Sequence, residues 1–365
     1  MKTRTKRIIL STIAVVLLLF VGVAVWFWFM MGKPLYEPGM VRMEKDLRSP
    51  LTPPTQPGEA DFWTMEKGVK LYHYAVGEGP AVLVIHGGPG NPMREPMEGL
   101  KPFLHSYRFH YFDQRGCGRS TRPVDRFVSA NYYQNMLRLD RALGLGAQIA
   151  DIERIRRILG EEKLILIGHS FGGFLAALYA AEFPEHVKGL ILISPANVLV
   201  MPVDDGGLFA AIERSLPENR KPEYQKFIED YFSYGSIFSN SDSTLAHKNG
   251  RVFTYYEEAT RNRGLPLPAQ ATGDLKEVGG WMVQATYMSM GKSHDYRAPL
   301  QKVEAPVLVI HGENDMQPES ASRIYAQVFP HARFAVIRHA AHFSYIEQPE
   351  EFSHVVGEFL SELTH

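Results

Sequence analysis

A serine stands in a setting that could make its hydroxyl a nucleophile. The run GHSFGG occupies residues 168–173, directly after an apolar strand pattern and before a helical one. Gly-x-Ser-x-Gly at such a junction indicates a sharp strand-to-helix turn, in which glycines let the backbone close tightly around an exposed serine. The following helix would direct its N-terminal amides toward the same point, where they stabilise developing negative charge. Ser170 is therefore the candidate nucleophile.

A serine hydroxyl needs a base to take its proton and an acid to orient that base. Further along the chain, one apolar strand pattern precedes Asp315, and the next precedes His339 and His342. The carboxyl ends of parallel strands meet at one edge of a sheet, so these side chains should lie near Ser170. We predict a triad of Ser170, Asp315 and His342, because His342 reaches further past its strand than His339. Glu313 is the competing acid.

A glycine-rich loop could bind the oxyanion that forms during acyl transfer. HGGPG at 86–90 directly follows the buried strand pattern at 81–85. Acyl transfer needs two backbone N–H donors, one after the nucleophile and one from an earlier loop of this kind. Phe171 is predicted to supply the first and Gly88 the second, with Gly87 as the runner-up. The alternative is a simple Gly/Pro turn.

The elements that must position these residues follow from the hydrophobic pattern. Beyond residue 60, short runs of Val, Ile and Leu alternate with helical patterns, which indicates parallel strands covered by helices on both faces. This rhythm stops across residues 196–303, which are too long for a loop and are predicted to form an inserted helical cap. The prediction is an α/β core over 61–195 and 304–365.

The first 60 residues have a different character. Residues 8–31 carry no charge, and a helix of that length could cross a bilayer. Because residues 1–7 are basic, we predict a cytoplasmic N-terminal flank, a single-pass signal-anchor over 8–31, and a body on the periplasmic or extracellular side. A cleavable signal peptide is the alternative. The proline-rich residues 32–60 are predicted to form an irregular tether.

Composition excludes several classes of protein and site. Thirty-nine Lys and Arg against 40 Asp and Glu give a net charge of −1, which disfavours a nucleic-acid binder. The single cysteine, Cys117, excludes an intrachain disulfide and zinc sites that need several cysteines. No metal-ligand pattern accompanies His339 and His342, and no nucleotide-binding glycine loop is present. We therefore predict no metal, no cofactor and no nucleic-acid partner.

Several motifs can be compared with a known family. HGGPG at 86–90, DQRGCGRS at 113–120 and GHSFGG at 168–173 are the main ones, and ADIERIR at 150–156 and DMQ at 315–317 are similar too. Together they resemble the prolyl aminopeptidase (proline iminopeptidase) family of α/β-hydrolases. The resemblance covers roughly residues 60–365. It implies the α/β-hydrolase fold, a helical cap and the same triad.

The resemblance also implies that carboxylates of the cap bind the free α-amine of a peptide substrate. FTYYE at 253–257 is similar to the family's aromatic pair followed by a glutamate, which makes Glu257 the first matching position. The second family glutamate corresponds to Gln284, whose neutral amide gives an ammonium a weaker bond. His169 is a further departure, because the family usually has glycine there. The resemblance thus implies Glu257 and Gln284 as substrate-binding residues of a weakened amine site.

These features together predict a membrane-anchored serine hydrolase that acts through an acyl-enzyme. The expected reaction releases N-terminal proline, or another residue, from short peptides. A carboxylesterase or lipase-like hydrolase of small or membrane-derived esters is the first alternative. A catalytically inactive binding module, tethered to the membrane, is the alternative from another class. Epoxide hydrolases have a similar His-Gly-x-Pro-Gly loop but use an aspartate nucleophile, so Ser170 argues against them.

Overall fold

The apolar runs of the sequence form the strands of a central sheet. A computed structural model describes residues 2–58, 61–271 and 274–363, with side chains except at 2–10, 24, 27, 28, 31 and 270. Its strands are β1 (Phe62–Glu66), β2 (Val69–Gly77), β3 (Ala81–Ile85), β4 (Arg108–Phe112), β5 (Leu164–His169), β6 (Val187–Ile193), β7 (Val200–Met201), β8 (His294–Asp295), β9 (Val307–Gly312) and β10 (Ala332–Ile337).

The main sheet is mostly parallel, as predicted. In the described part of the chain its strand order is β1-β2-β4-β3-β5-β6-β9-β10, and only the pairs β1–β2 and β2–β4 are antiparallel. Every residue of β5, at the centre, is buried. Strand β1 was not predicted because it lacks a continuous apolar run: Trp63 and Met65 are buried, whereas Phe62 and Thr64 are partly exposed.

Helices cover both faces of this sheet, which confirms the predicted α/β class. Two apolar cores form, one on each side, because β5 directs Leu164 and Leu166 into one and Ile165 and Ile167 into the other. The helices are α1 (Lys2–Gly32), α2 (Tyr132–Leu143), α3 (Leu145–Leu159), α4 (Phe171–Glu182), α5 (Gly207–Ser215), α6 (Lys221–Tyr231), α7 (Tyr234–Phe238), α8 (Asp242–Asn262), α9 (Trp281–Met290), α10 (Arg297–Leu300), α11 (Glu319–Val328), α12 (Ser344–Glu347) and α13 (Pro349–Glu362).

Residues 196–303, which we call the cap, are largely helical. They contain α5 to α10 and the short antiparallel pair β7–β8. The longest cap helix, α8, begins after Ser241, whose hydroxyl accepts the N–H of Thr244 at 3.3 Å as an N-cap. One side of α8 buries Tyr255 and Tyr256. The cap therefore places aromatic side chains beside the carboxyl edge of the sheet.

Helix α1 projects apolar side chains that nothing in the described chain covers. Its described large apolar residues, from Ile13 to Phe29, are 50–74% exposed. Among the described residues, however, no helix combines the length and hydropathy needed to span a bilayer. The transmembrane segment predicted over 8–31 is therefore not shown among the described residues. The side chains of the basic flank predicted over 1–7 lie outside the described residues.

Residues 33–58, which we call the strap, are irregular as predicted but do not form a free tether. Tyr36, Val41 and Leu51 are buried against the core. The buried carboxylate of Glu182, the last residue of α4, accepts the N–H groups of Gly39 at 2.7 Å and Arg42 at 3.0 Å, and the Tyr36 hydroxyl at 2.9 Å. Proline spacing predicts backbone irregularity, but it carries no information about this distant acceptor. The packing of the strap on the folded body is therefore a feature that the proline spacing did not predict.

Candidate active site

Ser170 occupies a sharp turn between β5 and α4. Its φ of +54° lies in a region that residues other than glycine rarely adopt. The neighbouring glycines explain how the chain closes here. A Cβ at Gly168 would lie 2.4 Å from the carbonyl oxygen of Gly172, and a Cβ at Gly172 would lie 2.1 Å from that of Ile85. The turn is thus strained at Ser170 and requires glycine on both sides of it.

His342 and Asp315 form a buried pair at the same edge of the sheet. Nδ1 of His342 lies 2.8 Å from Oδ2 of Asp315, and Oδ1 of Asp315 accepts the N–H of Gln317 at 3.0 Å. Since a carboxylate only accepts, Nδ1 carries the proton and Nε2 is left as the basic nitrogen. Ser170 and His342 line one cavity. No hydrogen bond joins them within the described residues, and such bonds are often long before substrate binds.

The competing acid and base lie elsewhere. Glu313 and His339 are both exposed, and the carboxylate of Glu313 accepts the backbone N–H of His339 at 2.9 Å. These two residues therefore hold the loop at the surface. The structure brings together Ser170, Asp315 and His342, the set that the sequence predicted.

Electrostatics suit His342 to act as a base. Burial by itself would lower the pKa of His342, but the adjacent Asp315 carboxylate outweighs burial and raises it above 6.5. Burial by itself would raise the pKa of Asp315, but the interaction with His342 outweighs it and keeps that pKa below its ordinary value. Asp315 thus stays ionised and can stabilise an imidazolium at His342.

Two backbone amides are available for an oxyanion beside Ser170. A Cβ placed on Gly87 would lie 2.9 Å from the Ser170 Cβ and 3.5 Å from the Phe171 nitrogen, so the loop runs directly against the turn. Gly87 and Gly88 both line the cavity. Neither the Gly88 nor the Phe171 N–H has an acceptor among the described residues. Phe171 is the first residue of α4, where such amides are free.

A buried amide holds this loop from behind. The side chain of Gln114 donates to the carbonyl oxygen of His86 at 2.7 Å, and the Gln114 backbone N–H donates to Nε2 of His86 at 3.1 Å. Arg94, at the end of the loop, binds both carboxylate oxygens of Asp113, at 2.7 and 2.9 Å. In the sequence, the run 113–120 indicated only a resemblance to a family. That Asp113 and Gln114 hold the neighbouring loop was not predicted, because no local pattern signals a contact between these two segments.

The cavity at Ser170 has a volume of about 670 Å³ and lies between the sheet edge and the cap. Much of its lining is apolar, including Ile212, Val252, Phe253, Tyr256, Val283 and Tyr287. Its described lining carboxylates are Glu95, Glu98 and Asp274, and all three are exposed. Within the described residues, no group of three His, Cys, Asp or Glu side chains could hold a metal ion.

The two residues predicted to bind a substrate amine do not line this cavity. Glu257 is 37% exposed and pairs with Arg261 one turn along α8, with 2.6 Å between the charged atoms. Gln284 is buried and lies 3.5 Å from the side-chain oxygen of Asn249, which itself lines the cavity and accepts the Tyr231 hydroxyl. The resemblance gave their positions in the sequence. The orientation of α8 and α9 turns Glu257 to the surface and leaves Gln284 behind Asn249.

A strained serine at the end of a central strand, a buried histidine–aspartate pair and a cap over the strand ends define the α/β-hydrolase class. The family described as alpha/beta hydrolase fold matches residues 80–349, and the chain belongs to this family.

The chain is also similar to characterised proteins over most of its length. It is 27% identical to a proline iminopeptidase of Heyndrickxia coagulans, over 79% of this chain and 92% of that protein. It is 29% identical to human epoxide hydrolase 4, over 82% of this chain and 78% of that protein. An esterase structure from Thermogutta terrifontis matches 86% of this chain and 97% of its own, with 20% identity and a TM-score of 0.51, which shows a shared fold.

Proposed function

We propose that this protein is a serine hydrolase that acts through an acyl-enzyme. Ser170 attacks a carbonyl carbon while Nε2 of His342 takes its proton, and Asp315 stabilises the imidazolium. The Gly88 and Phe171 amides hold the oxyanion. The imidazolium then protonates the leaving group, and water activated by His342 hydrolyses the ester to Ser170. The observation that carries this proposal is the buried Asp315–His342 pair, whose histidine lines the same cavity as Ser170.

A fluorophosphonate probe, which reacts with activated serines, tests this mechanism. The full-length protein should be labelled, and Ser170→Ala should lose both labelling and hydrolysis while keeping its thermal unfolding midpoint. Ser239→Ala, on the exposed surface of the cap, is the control that should label normally. An unlabelled wild type would favour the alternative of a catalytically inactive binding module. Undiminished labelling of Ser170→Ala would remove Ser170 from the mechanism.

The charges of the cavity favour an uncharged carboxylic ester as substrate. A bound ammonium needs a carboxylate partner when it is desolvated, because an unpaired buried charge is costly. The described lining carboxylates are all exposed, and Glu257 already pairs with Arg261 outside the cavity. The apolar lining suits an acyl chain instead. We therefore place carboxylesterase activity on small or membrane-derived esters first.

Release of N-terminal proline from short peptides is the second candidate. The similarity to a proline iminopeptidase over 79% of the chain favours it. Comparing short-chain aryl esters with a prolyl arylamide separates the two candidates. We expect higher kcat/KM for the esters, and Glu257→Gln should leave KM for the arylamide unchanged. A preference for the arylamide, with a KM that rises in Glu257→Gln, would restore the peptidase assignment and the amine-binding role of Glu257.

We further propose that the chain is attached to a membrane through α1, with its body on the periplasmic or extracellular side. The uncharged residues 8–31, the basic residues 1–7 and the exposed apolar side chains of α1 support this proposal. After cell lysis, the full-length protein should sediment with membranes and resist high salt. In intact cells from which any outer membrane or cell wall has been removed, added protease should digest residues 61–365. Recovery in the soluble fraction would contradict the attachment.

A further inference from the structure

His169 precedes Ser170 in the chain and is also bonded to the main chain of His342. Its side chain is 4% exposed, and its Nε2 lies 2.9 Å from the backbone carbonyl oxygen of His342. A carbonyl oxygen only accepts, so Nε2 of His169 donates and carries the ring proton. This hydrogen bond connects the turn that bears Ser170 to the loop that bears His342.

Three aromatic contacts hold the His169 ring in place. Its centroid lies 4.8 Å from that of His342, 5.1 Å from that of Phe343 and 5.2 Å from that of Tyr345. These neighbours all belong to the segment that follows β10. The ring therefore fills the space beneath this segment, and within the described residues its one hydrogen bond is directed at the carbonyl of His342.

His169 does not compete with His342 as the base. The carboxylate of Asp315 binds Nδ1 of His342, and no carboxylate bonds to His169 in the described residues. Burial, followed by the proximity of His342, lowers the pKa of His169 to about 3. His169 is therefore neutral at physiological pH, and its donor stays directed at the same carbonyl oxygen.

We propose that His169 is a positioning residue that fixes the main chain of His342 relative to Ser170. Asp315 orients the imidazole of His342 through its side chain, and His169 sets where the backbone carrying that imidazole lies. Because His169 is covalently joined to Ser170, one short path connects nucleophile and base. This inference rests on the proposed acyl-enzyme mechanism.

Two substitutions separate the hydrogen bond from the packing. His169→Phe keeps an aromatic ring of similar size but removes the donor. His169→Gln places an amide N–H where Nε2 of histidine stands. With the fluorophosphonate probe, His169→Phe should lower the maximal labelling rate about tenfold, the scale expected for one buried hydrogen bond. The half-saturating probe concentration should stay within about twofold, and His169→Gln should recover most of the rate.

The outcomes distinguish this inference from the proposed function. A labelled wild type with an equally fast His169→Phe variant would overturn the positioning role and leave the acyl-enzyme mechanism standing. A wild type that is not labelled at all would overturn both. If His169→Phe fails to fold, the pair His169→Gln and His169→Asn replaces it, since the shorter asparagine amide cannot reach the carbonyl. Equal rates in that pair would also overturn the role.

Discussion

At the scale of single residues, the site depends on one buried ion pair and one strained serine. Asp315 raises the pKa of His342 against the opposing effect of burial, and it fixes which ring nitrogen carries the proton. The basic form of His342 therefore accumulates only as pH rises above the ordinary histidine value of 6.5. Activity that needs this base should be lost on the acid side.

The pH dependence of hydrolysis tests this pairing. For the wild type, kcat/KM should rise with pH through an apparent pKa above 6.5. Asp315→Asn removes the charge that raises this pKa, so the rise of kcat/KM should move to lower pH. In the same variant, kcat should fall by roughly 10³- to 10⁴-fold. Glu313→Gln, at the exposed competing acid, is the matched control and should behave like the wild type. If kcat/KM of Asp315→Asn rose at the same pH as that of the wild type, Asp315 would not be the acid that pairs with His342.

At the scale of elements, α4 is held at its C-terminal end by contacts from a segment that is distant in sequence. Its last residue, Glu182, accepts four hydrogen bonds from the strap, given by the Tyr36 hydroxyl and the N–H groups of Gly39, Val41 and Arg42. The strap also reaches the cap, because the N–H groups of Leu35 and Tyr36 donate to the carbonyl oxygen of Ser289. The segment between α1 and the sheet is therefore part of the folded body.

Glu182→Gln should destabilise the protein by about 2 kcal/mol. The substitution removes the charge from buried hydrogen bonds and points an NH₂ group toward N–H donors of the strap. Chemical denaturation measures the change in free energy of unfolding. Glu185→Gln is the control three residues away: its carboxylate is 45% exposed and pairs with Arg42, so it should cost less than 1 kcal/mol. Equal effects of the two substitutions would refute the docking of the strap through Glu182.

At the scale of the whole molecule, a buried charge network joins three distant segments. Arg115, in the loop after β4, binds both carboxylate oxygens of Asp151 on α3 at 2.6 Å, and Glu66 of β1 at 2.9 Å. Arg154 adds a further contact to Asp151 at 3.0 Å. The motifs at 113–120 and 150–156 thus meet each other in the fold, on the face of the sheet that α3 covers.

Removing one carboxylate from this network should leave a buried positive charge without a partner. Asp151→Asn is expected to lower the free energy of unfolding by about 3 kcal/mol, because Arg154, 2% exposed, loses its carboxylate and Arg115, 1% exposed, keeps only Glu66. Glu362→Gln, which breaks an exposed pair with Arg333, is the control and should cost less than 1 kcal/mol. A loss for Asp151→Asn no larger than that of the control would show that the network contributes little to stability.

Much of the fold could be predicted because its signals are local. Continuous apolar runs specify buried strands, and β3 spans the residues 81–85 that the sequence predicted. The glycines around Ser170 are local too, since the backbone there closes at distances that no Cβ tolerates. Strand β1 escaped prediction because it is a short edge strand of five residues without a continuous apolar run.

The sequence by itself determined the α/β class, the turn at Ser170 and the order of serine, acid and histidine along the chain. Each follows from steric or hydrophobic preferences of neighbouring residues. Only the tertiary structure decided that Glu257 pairs with Arg261 outside the cavity and that the strap packs on Glu182. These outcomes depend on how helices and loops rotate when they pack, and packing is set by residues far apart in the sequence.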